Sequence, residues 1–301
     1  MTAIDDLSTG LRSNISHLTQ DKNFRFYRGS ILNEKLMRPL VRKCDIIYHL
    51  AAAVGVKYIL DNPVGSLTTN IEGTHLILRL AVAYRKKVVL ASTSEVYGKH
   101  RCLPIGEKDD RVLGSTSVGR WSYSEAKAID EFLALAYANE RKLKVVIVRF
   151  FNTVGPRQTG RYGMVLPRFI QEALSGTPIT VYGDGAQIRT FTYIKDAVRA
   201  TIGLSVCKKA EGEAFNVGTN QSITMNSLAR RIKKATHSAS PIVHISYKKA
   251  FGKASANFED MRCRIPDITK IKRVIGFRPQ YDIGDIIDNT IRYFKVTKKK
   301  T

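Results

Sequence analysis

Trp121-Ser122-Tyr123-Ser124-Glu125-Ala126-Lys127 opens a stretch in which apolar residues recur at helical spacing as far as Ala136. A spacing of four residues places Tyr123 and Lys127 on one face of a helix, one turn apart. A free phenol ionises near pH 10, roughly, and a nearby ammonium group favours the phenolate. The stretch therefore predicts a helix that carries a tyrosine base and an activating lysine. Taken alone, it also fits an ordinary amphipathic helix.

The surrounding chain alternates short apolar runs with helical patterns. A parallel sheet covered by helices on both faces produces this alternation, so we predict an α/β fold with a doubly wound sheet. From residue 156 onward, glycine and proline divide the chain into shorter segments, which is typical of a smaller substrate-binding region. The predicted division is 1–155 for the sheet domain and 156–301 for the substrate region, with about 190–220 returning to the main sheet through a strand at 214–218.

Composition excludes several classes of protein. The 301 residues are 44% apolar and 25% charged, as in globular proteins, and contain no run long enough for a membrane span. The first residues do not resemble a signal peptide, so a cytoplasmic location is expected. The net charge of +23 could attract a polyanion, but the basic residues are scattered and the only dense run is Lys298-Lys299-Lys300. We expect a solvated basic surface rather than a nucleic-acid site.

The four cysteines argue against two further possibilities. Cys44, Cys102, Cys207 and Cys263 lie far apart, with neither a C-x-x-C pair nor a histidine cluster beside them. This spacing favours a reducing compartment and predicts neither a disulfide framework nor a metal site.

Several polar or small residues follow predicted strands, at the sheet edge where such folds bind ligands. Asp5 and Asp6 follow the first strand, and an acidic residue there accepts hydrogen bonds from an adenosine ribose, which favours NAD over NADP. Ala51 and Ala52 follow another strand and would let a flat cofactor approach the backbone. Thr93-Ser94-Glu95 follows a third strand, although Thr93 and Ser94 would also suit a turn. Asn70 stands at the start of the next helical pattern. An asparagine that supports the cofactor and one that only caps the helix would give the same sequence pattern there.

Seven motifs occur in one order along the chain. They are Asp5-Asp6-Leu7-Ser8-Thr9-Gly10, His49-Leu50-Ala51-Ala52, Ser92-Thr93-Ser94-Glu95-Val96-Tyr97-Gly98, Tyr123-x-x-x-Lys127, Arg149-Phe150-Phe151-Asn152-Thr153-Val154-Gly155-Pro156-Arg157, Val181-Tyr182-Gly183-Asp184-Gly185 and Arg189-Thr190-Phe191-Thr192-Tyr193-Ile194-x-Asp196. Together they resemble the extended short-chain dehydrogenase/reductase superfamily, in its nucleotide-sugar epimerase, dehydratase and decarboxylase branch. The resemblance covers nearly the whole chain and implies a Rossmann-type sheet, NAD as cofactor and a UDP-sugar substrate.

The resemblance also implies residue roles. Tyr123 would take the proton from the sugar 4-hydroxyl, Lys127 would hold the cofactor ribose and lower the tyrosine pKa, and Thr93 would bind the substrate oxygen. The implied catalytic residues are Thr93, Ser94, Glu95, Tyr123 and Lys127. The implied NAD-binding residues are Asp5, Asp6, Ser30, Ala51, Ala52, Asn70, Tyr123, Lys127 and Phe150. The implied substrate-binding residues are Thr93, Asn152, Val181, Tyr182, Arg189 and Arg264.

Two departures from the family pattern affect the cofactor end. Relatives begin with a strand, a Gly-x-x-Gly-x-x-Gly turn and a helix that hold the pyrophosphate, and this chain starts at what matches the second strand. Either the start is assigned too late, at an internal Met, or the gene is truncated and the first βα unit is missing. In the second case we expect the neighbouring strands to lose pairing and NAD binding to be weak. In addition, Gly29-Ser30-Ile31 stands where relatives usually carry Gly-Asp.

The reaction stays open between several branches. Thr93-Ser94-Glu95 and Arg120-Trp121-Ser122-Tyr123-Ser124 resemble UDP-glucuronate decarboxylases, and similar segments occur in UDP-glucose 4-epimerases. A GDP-mannose-type 4,6-dehydratase is a third possibility, and a non-catalytic relative that binds nucleotide-sugar without NAD is the rival class. Two helices, at 70–84 and 123–139, resemble the family's dimer-forming pair, so a homodimer is expected.

Overall fold

The computed structural model describes residues 1–100, 103–158, 164–252 and 258–298. Cys102 and the last two lysines of the basic tail lie outside these ranges. The described strands are β1 (Thr2–Asp5), β2 (Arg25–Arg28), β3 (Ile46–His49), β4 (Lys87–Thr93), β5 (Val145–Phe150), β6 (Thr153–Val154), β7 (Ile179–Tyr182), β8 (Ile188–Thr190), β9 (Thr192–Tyr193), β10 (Glu213–Val217), β11 (Ser222–Thr224), β12 (Ile242–Ile245) and β13 (Cys263–Arg264). The described α-helices are α1 (Glu34–Lys43), α2 (Val56–Asp61), α3 (Pro63–Ala83), α4 (Trp121–Arg141), α5 (Val165–Ser175), α6 (Ile194–Val206), α7 (Met225–Thr236), α8 (Tyr247–Phe251), α9 (Thr269–Ile275) and α10 (Ile283–Lys298).

The central sheet is parallel, with strand order β10-β5-β4-β3. Alternate residues of β4 face opposite sides: Val88 and Leu90 pack under α3 and α4, whereas Val89 packs under α6 and α9. All three are fully buried, as expected for a sheet covered on both faces. The strand expected at 214–218 is β10, which adds to the free side of β5 and confirms that the chain returns to this sheet.

The first two strands do not join the central sheet. β1 and β2 pair in parallel only with each other among the described strands. Ile4 of β1 and Ile47 of β3 nevertheless pack against one hydrophobic cluster formed by α1 and α3. The doubly wound layers are present, but the sheet is divided between β1 and β3, because no described strand pairs with either of those edges.

One helix boundary differs clearly from the sequence prediction. We expected Asn70 to open a helix, but α3 begins seven residues earlier at Pro63, and Asn70 lies buried in its middle. Proline is well tolerated in the first helical turn, where its missing N–H has no partner to lose. The Asn70 side chain caps no helix; it bonds the backbone of Ala53, with N–H to Oδ1 at 2.7 Å and Nδ2 to the carbonyl at 3.2 Å.

The C-terminal elements pack around a second core formed mainly by α5, α7 and α10. Two small sheets lie beside this core, β12-β7 and β11-β8-β13. In the second of them, Arg189 of β8 and Arg264 of β13 are direct neighbours in parallel register. The fold thus brings together two arginines that are far apart in sequence. No helix of the described residues is long and apolar enough to cross a membrane. The domain boundary near residue 155 stays a prediction.

Candidate active site

A cavity of about 830 Å³ lies at the carboxyl ends of β3, β4 and β5 and extends to the C-terminal region. The alternation of parallel strands and helices predicts a ligand site at this edge. Of the residues selected from the sequence, the cavity is lined by Ala52, Thr93, Ser94, Glu95, Tyr123, Phe150, Asn152, Tyr182, Arg189 and Arg264. Its wall does not include Asp5, Asp6, Ser30, Ala51, Asn70, Lys127 or Val181.

Tyr123 and Thr93 face each other across the end of β4. Thr93 ends the strand, and its hydroxyl also accepts the Glu95 backbone N–H at 3.2 Å, so the expected turn role is real as well. The Ser124 hydroxyl donates to the Glu95 carbonyl at 2.6 Å and ties the start of α4 to this turn. Burial and the charges of Glu95 and Asp130 raise the pKa of the Tyr123 phenol, and the Thr93 hydroxyl opposes that rise.

Lys127 does not do what the sequence led us to expect in this state. We expected its ammonium group to lower the tyrosine pKa, but it donates to Asp130 Oδ2 at 2.7 Å, and both side chains are buried. The Tyr123 pKa is raised instead, because burial and two carboxylates outweigh the groups that favour the phenolate. α4 places Tyr123 and Lys127 at the expected spacing. It also places Asp130 one turn after Lys127, where the carboxylate competes with Tyr123 for the ammonium group.

Glu95 lies between two buried arginines. Its Oε2 is 2.9 Å from Arg120 Nη2, and its Oε1 is 2.6 Å from Arg264 Nη1. Burial would raise the pKa of this carboxyl, but Arg120 and Arg264 lower it to about 2. Arg264 also donates from Nη2 to Asn152 Oδ1 at 3.3 Å. The site therefore contains an ionised carboxylate at neutral pH, and it fixes the position of Arg264.

A third arginine completes a group that we call the arginine cluster: Arg120, Arg189 and Arg264 with Glu95 and Asp260. Arg189 Nη2 lies 2.7 Å from Asp260 Oδ1, and burial and the charge of Arg264 lower the pKa of Arg189 to about 10. Three guanidinium groups thus face two carboxylates. The Nε–H groups of Arg120 and Arg264 are buried and have no hydrogen-bond partner among the described residues. The cluster has an excess positive charge, which suits an anionic ligand.

The cofactor end is built differently. Asp5 and Asp6 are exposed at the end of β1, where each accepts a backbone N–H two residues on, at 2.6 Å and 2.9 Å. Ser30 follows β2 and accepts the Leu32 N–H at 3.2 Å. Asn70 holds the backbone just after Ala51 and Ala52. This donor and acceptor set fits the two ends of NAD: the carboxylates suit the adenosine ribose, and the small-residue edge beside Phe150 leads to Tyr123.

Two of the implied substrate-binding residues, Val181 and Tyr182, lie differently with respect to the cavity. The Val181 side chain is fully buried in the C-terminal core and does not line the cavity, so its part in substrate binding stays a prediction. Successive strand residues point to opposite faces, so the side chains of Val181 and Tyr182 face different ways. Tyr182 does line the cavity, with the Arg168 guanidinium 4.2 Å from its ring centre and Phe251 edge-on at 5.6 Å.

Sequence reasoning missed three charged residues at this site: Arg120, Asp130 and Asp260. Arg120 was noticed only as part of a motif, three residues before Tyr123. Asp130 could have been found by its spacing, since it lies three residues after Lys127 and i,i+3 side chains are neighbours on a helix. Asp260 carries no local signal, because its contact with Arg189 depends on how β13 pairs with β8. Among the described residues, no group of histidine, cysteine and acidic side chains could hold a metal ion.

A parallel sheet covered by helices, with Thr93 and Tyr123 at its carboxyl edge and Lys127 one turn beyond, fits a class of enzymes that bind a nucleotide cofactor at this edge and use a tyrosine to exchange a proton with a hydroxyl group. A family profile described as GDP-mannose 4,6 dehydratase matches residues 2–290. The chain belongs to this family, within the extended short-chain dehydrogenase/reductase superfamily of nucleotide-sugar epimerases, dehydratases and decarboxylases. This confirms the resemblance, the enzyme class and the cofactor, NAD.

Individual relatives perform different reactions. The UDP-N-acetyl-alpha-D-glucosaminuronate decarboxylase of Bacillus cytotoxicus is 41% identical over 296 residues, covering 98% of this chain and 90% of the relative. The UDP-glucose 4-epimerase of Thermotoga maritima, solved with UDP-glucose, has a TM-score of 0.87 at 28% identity, covering 99% of this chain and 91% of that chain. DesIV, a dTDP-glucose 4,6-dehydratase from Streptomyces venezuelae solved with NAD and TYD, has a TM-score of 0.88 at 27% identity, covering 99% and 88%.

Proposed function

We propose that this protein is an NAD-dependent decarboxylase of a UDP-linked uronic acid. The observation that carries the proposal is the arginine cluster, because its three guanidinium groups face two carboxylates and an anionic group beside the reacting carbon would balance the remaining positive charge. The 4-epimerase is the second candidate, since the same Thr93 and Tyr123 would serve it. A neutral hexose, however, would leave the excess positive charge of this buried cluster without a counter-charge, which is costly.

The chain's own groups would act on the sugar as follows. Tyr123, hydrogen-bonded by Thr93, takes the proton of the 4-hydroxyl. The chemistry that NAD supplies when bound is acceptance of the C4 hydride. The resulting C4 ketone makes the C6 carboxylate a β-keto acid, which loses carbon dioxide readily. The electron pair of the broken C5–C6 bond forms an enolate, and C5 then takes up a proton. Return of the hydride to C4, with the proton that Tyr123 gives back to the 4-oxygen, yields the UDP-pentose and restores the oxidised cofactor. Arg264 and Arg120 would bind that carboxylate and orient its C5–C6 bond.

Glu95 has a narrower role in this scheme than proton transfer. Its pKa of about 2 keeps it ionised at neutral pH, so it has no proton to donate, and so low a pKa makes it a weak base. Its two bonds to Arg120 and Arg264 instead hold both guanidinium groups at the sugar end. Ser94 is buried beside it, and nothing in its surroundings assigns it a chemical step.

A product assay tests the proposal. The purified chain with NAD is given UDP-glucuronate, UDP-N-acetylglucosaminuronate and UDP-glucose in separate reactions. We expect carbon dioxide and a UDP-pentose from one of the uronates and no UDP-galactose. Carbon dioxide from neither uronate, with UDP-galactose formed from UDP-glucose, would replace the decarboxylase by the epimerase. If no product forms, the outcome favours the non-catalytic class.

A pair of arginine variants locates the carboxylate site. Arg264→Met removes the buried donor. We expect kcat/KM for decarboxylation to fall by an amount that corresponds to about 2–5 kcal/mol of transition-state stabilisation, because a buried charge contact is lost. Arg262→Met is the matched control, because Arg262 lies two residues away and is 74% exposed. Equal activity of the two variants would contradict a carboxylate at Arg264.

We further propose a homodimer formed through α3 and α4, in a cytoplasmic enzyme. The two helices pack together, and α4 exposes Phe132 at 65% and Ile129 at 39%. Apolar side chains left exposed on one helix face suit an interface with a second copy. Light scattering at micromolar concentration should give twice the chain mass, and the mass of a single chain would contradict the dimer.

A further inference from the structure

A row of buried polar side chains connects β3 and α3 with α4, the helix that carries Tyr123 and Lys127. Asp130, with no exposed surface, accepts the Lys127 ammonium at 2.7 Å. The Thr74 hydroxyl faces the same carboxylate and favours its ionised form. Thr74 is in turn 3.0 Å from His49 Nε2. None of these groups lines the cavity, so they can act on the chemistry only through the Tyr123–Lys127 pair.

Burial determines the protonation states of the side chains in this row. Burial, and then the charge of Lys127, lower the pKa of His49 to about 3, so its ring is neutral at physiological pH. A neutral ring whose Nε2 carries the hydrogen donates to the Thr74 oxygen, which leaves the Thr74 hydrogen free to point towards Asp130. Burial raises the pKa of Asp130, but Lys127 and Thr74 oppose the rise. The carboxylate therefore receives polar hydrogens from two directions.

We propose that Asp130 is a positioning residue for the catalytic pair: it holds the Lys127 ammonium and neutralises its charge, so that Tyr123 stays a protonated phenol in the resting protein. The base then forms only when Lys127 is drawn away from Asp130. Oδ1 of Asp130 is buried and has no hydrogen-bond partner among the described residues, so only Oδ2 holds the lysine. A single strong contact of this kind can be exchanged for another when a ligand arrives.

The charges around Tyr123 determine how its ionisation would change if Lys127 left Asp130. Glu95, in the turn after β4, and Asp130, on α4, both disfavour the phenolate, whereas Arg264 of β13 favours it. Arg120, at the start of α4, is neutralised by Glu95. Lys127 is the cation closest in sequence on the same helix face, and its charge is cancelled by Asp130. Removing the Asp130 charge while keeping a hydrogen-bond acceptor for Lys127 should thus favour the phenolate.

Asp130→Asn makes that change, and the ionisation of Tyr123 can be measured on the protein alone. Absorbance at the tyrosinate band is recorded after a rapid pH jump, and the signal of a Tyr123→Phe partner is subtracted to isolate one of the 13 tyrosines. We expect the Asp130→Asn midpoint to fall by about one pH unit or more from that of the wild type. In Asp130→Asn/Lys127→Met the midpoint should return to about the wild-type value, because loss of the Lys127 charge offsets loss of the Asp130 charge.

Asp196→Asn is the matched control. Asp196 is also buried and also pairs with a cation three residues away on its helix, Arg199 at 2.7 Å, but it contacts the backbone of residues 280 and 281 rather than the site. We expect it to lower stability without moving the Tyr123 midpoint. An unchanged midpoint in Asp130→Asn, or a fall that persists without Lys127, would overturn the proposal. Because Tyr123 acts as base only under the proposed function, this proposal rests on it, yet the titration needs no turnover, so the two can fail separately.

Discussion

The two ends of the cavity are held in place by different means. At the sugar end, Glu95, Arg120 and Arg264 are buried and bonded to one another, and Arg189 and Asp260 extend the cluster. At the cofactor end, Asp5 lies outside the cavity wall and is exposed, on a strand that pairs with one neighbour among the described strands. In the part of the chain that the structure describes, its carboxylate accepts the Leu7 N–H of its own turn. Side-chain charges therefore fix the sugar end, whereas the cofactor end depends on backbone edges. Substitutions at the two ends should therefore have effects of different size, and should change different properties of the protein.

The largest effect is expected where the chemistry takes place. Tyr123→Phe removes the proton acceptor, and we expect kcat to fall by about 10²–10⁴-fold with little change in stability. Tyr97→Phe is the matched control: its hydroxyl donates to Asn216 at 2.7 Å, outside the cavity, so it should lose stability and largely keep kcat. Steady-state kinetics and urea unfolding of both variants make the comparison. A Tyr123→Phe enzyme with near wild-type turnover would remove Tyr123 from the mechanism.

This contrast also shows what the sequence could reveal. Tyr123, Lys127 and Thr93 were found because helix spacing and strand ends are local patterns. The arginine cluster was found only in part, since Arg189 and Asp260 meet through the pairing of β8 with β13, and register between distant strands is not a local property. Asn70 was selected with the cofactor residues, but its contact with Ala53 depends on how α3 packs, which its neighbours in sequence do not determine.

A stability effect of intermediate size is expected from the centre of the arginine cluster. The pKa of Glu95 is about 2 in the folded protein against an ordinary 4.5, so its ion pairs stabilise the fold above about pH 4.5 and lose that contribution as pH falls towards 2. The shift corresponds to about 3 kcal/mol. Glu95→Gln should therefore be less stable than the wild type at pH 7, and the difference should shrink on acidification.

Urea unfolding at several pH values between 3 and 7 measures this difference. Glu34→Gln is the control, because Glu34 pairs with Arg38 and Arg79 at the surface, where water screens the charges. We expect it to change stability little at any pH. A Glu95→Gln difference that stays constant down to pH 3 would mean that the cluster is held by packing rather than by its charges.

The smallest effect is expected at the cofactor end. Asp5 is exposed, so loss of its hydrogen bond to a ribose hydroxyl should weaken NAD binding by only about 0.5–1.5 kcal/mol. Asp5→Asn keeps an acceptor for the Leu7 N–H and so preserves the turn, in which Leu7 has φ +62°, whereas Asp5→Ala loses that acceptor too. Calorimetric titration should show NADP binding improve in Asp5→Asn, because the repulsion of a 2′-phosphate is gone. If Asp5→Asn binds NAD as tightly as the wild type, only Asp5→Ala binds it more weakly, and neither gains NADP, the carboxylate serves the turn and not the ribose. The cofactor end would then depend on its backbone alone, and the contrast between the two ends would be sharper still.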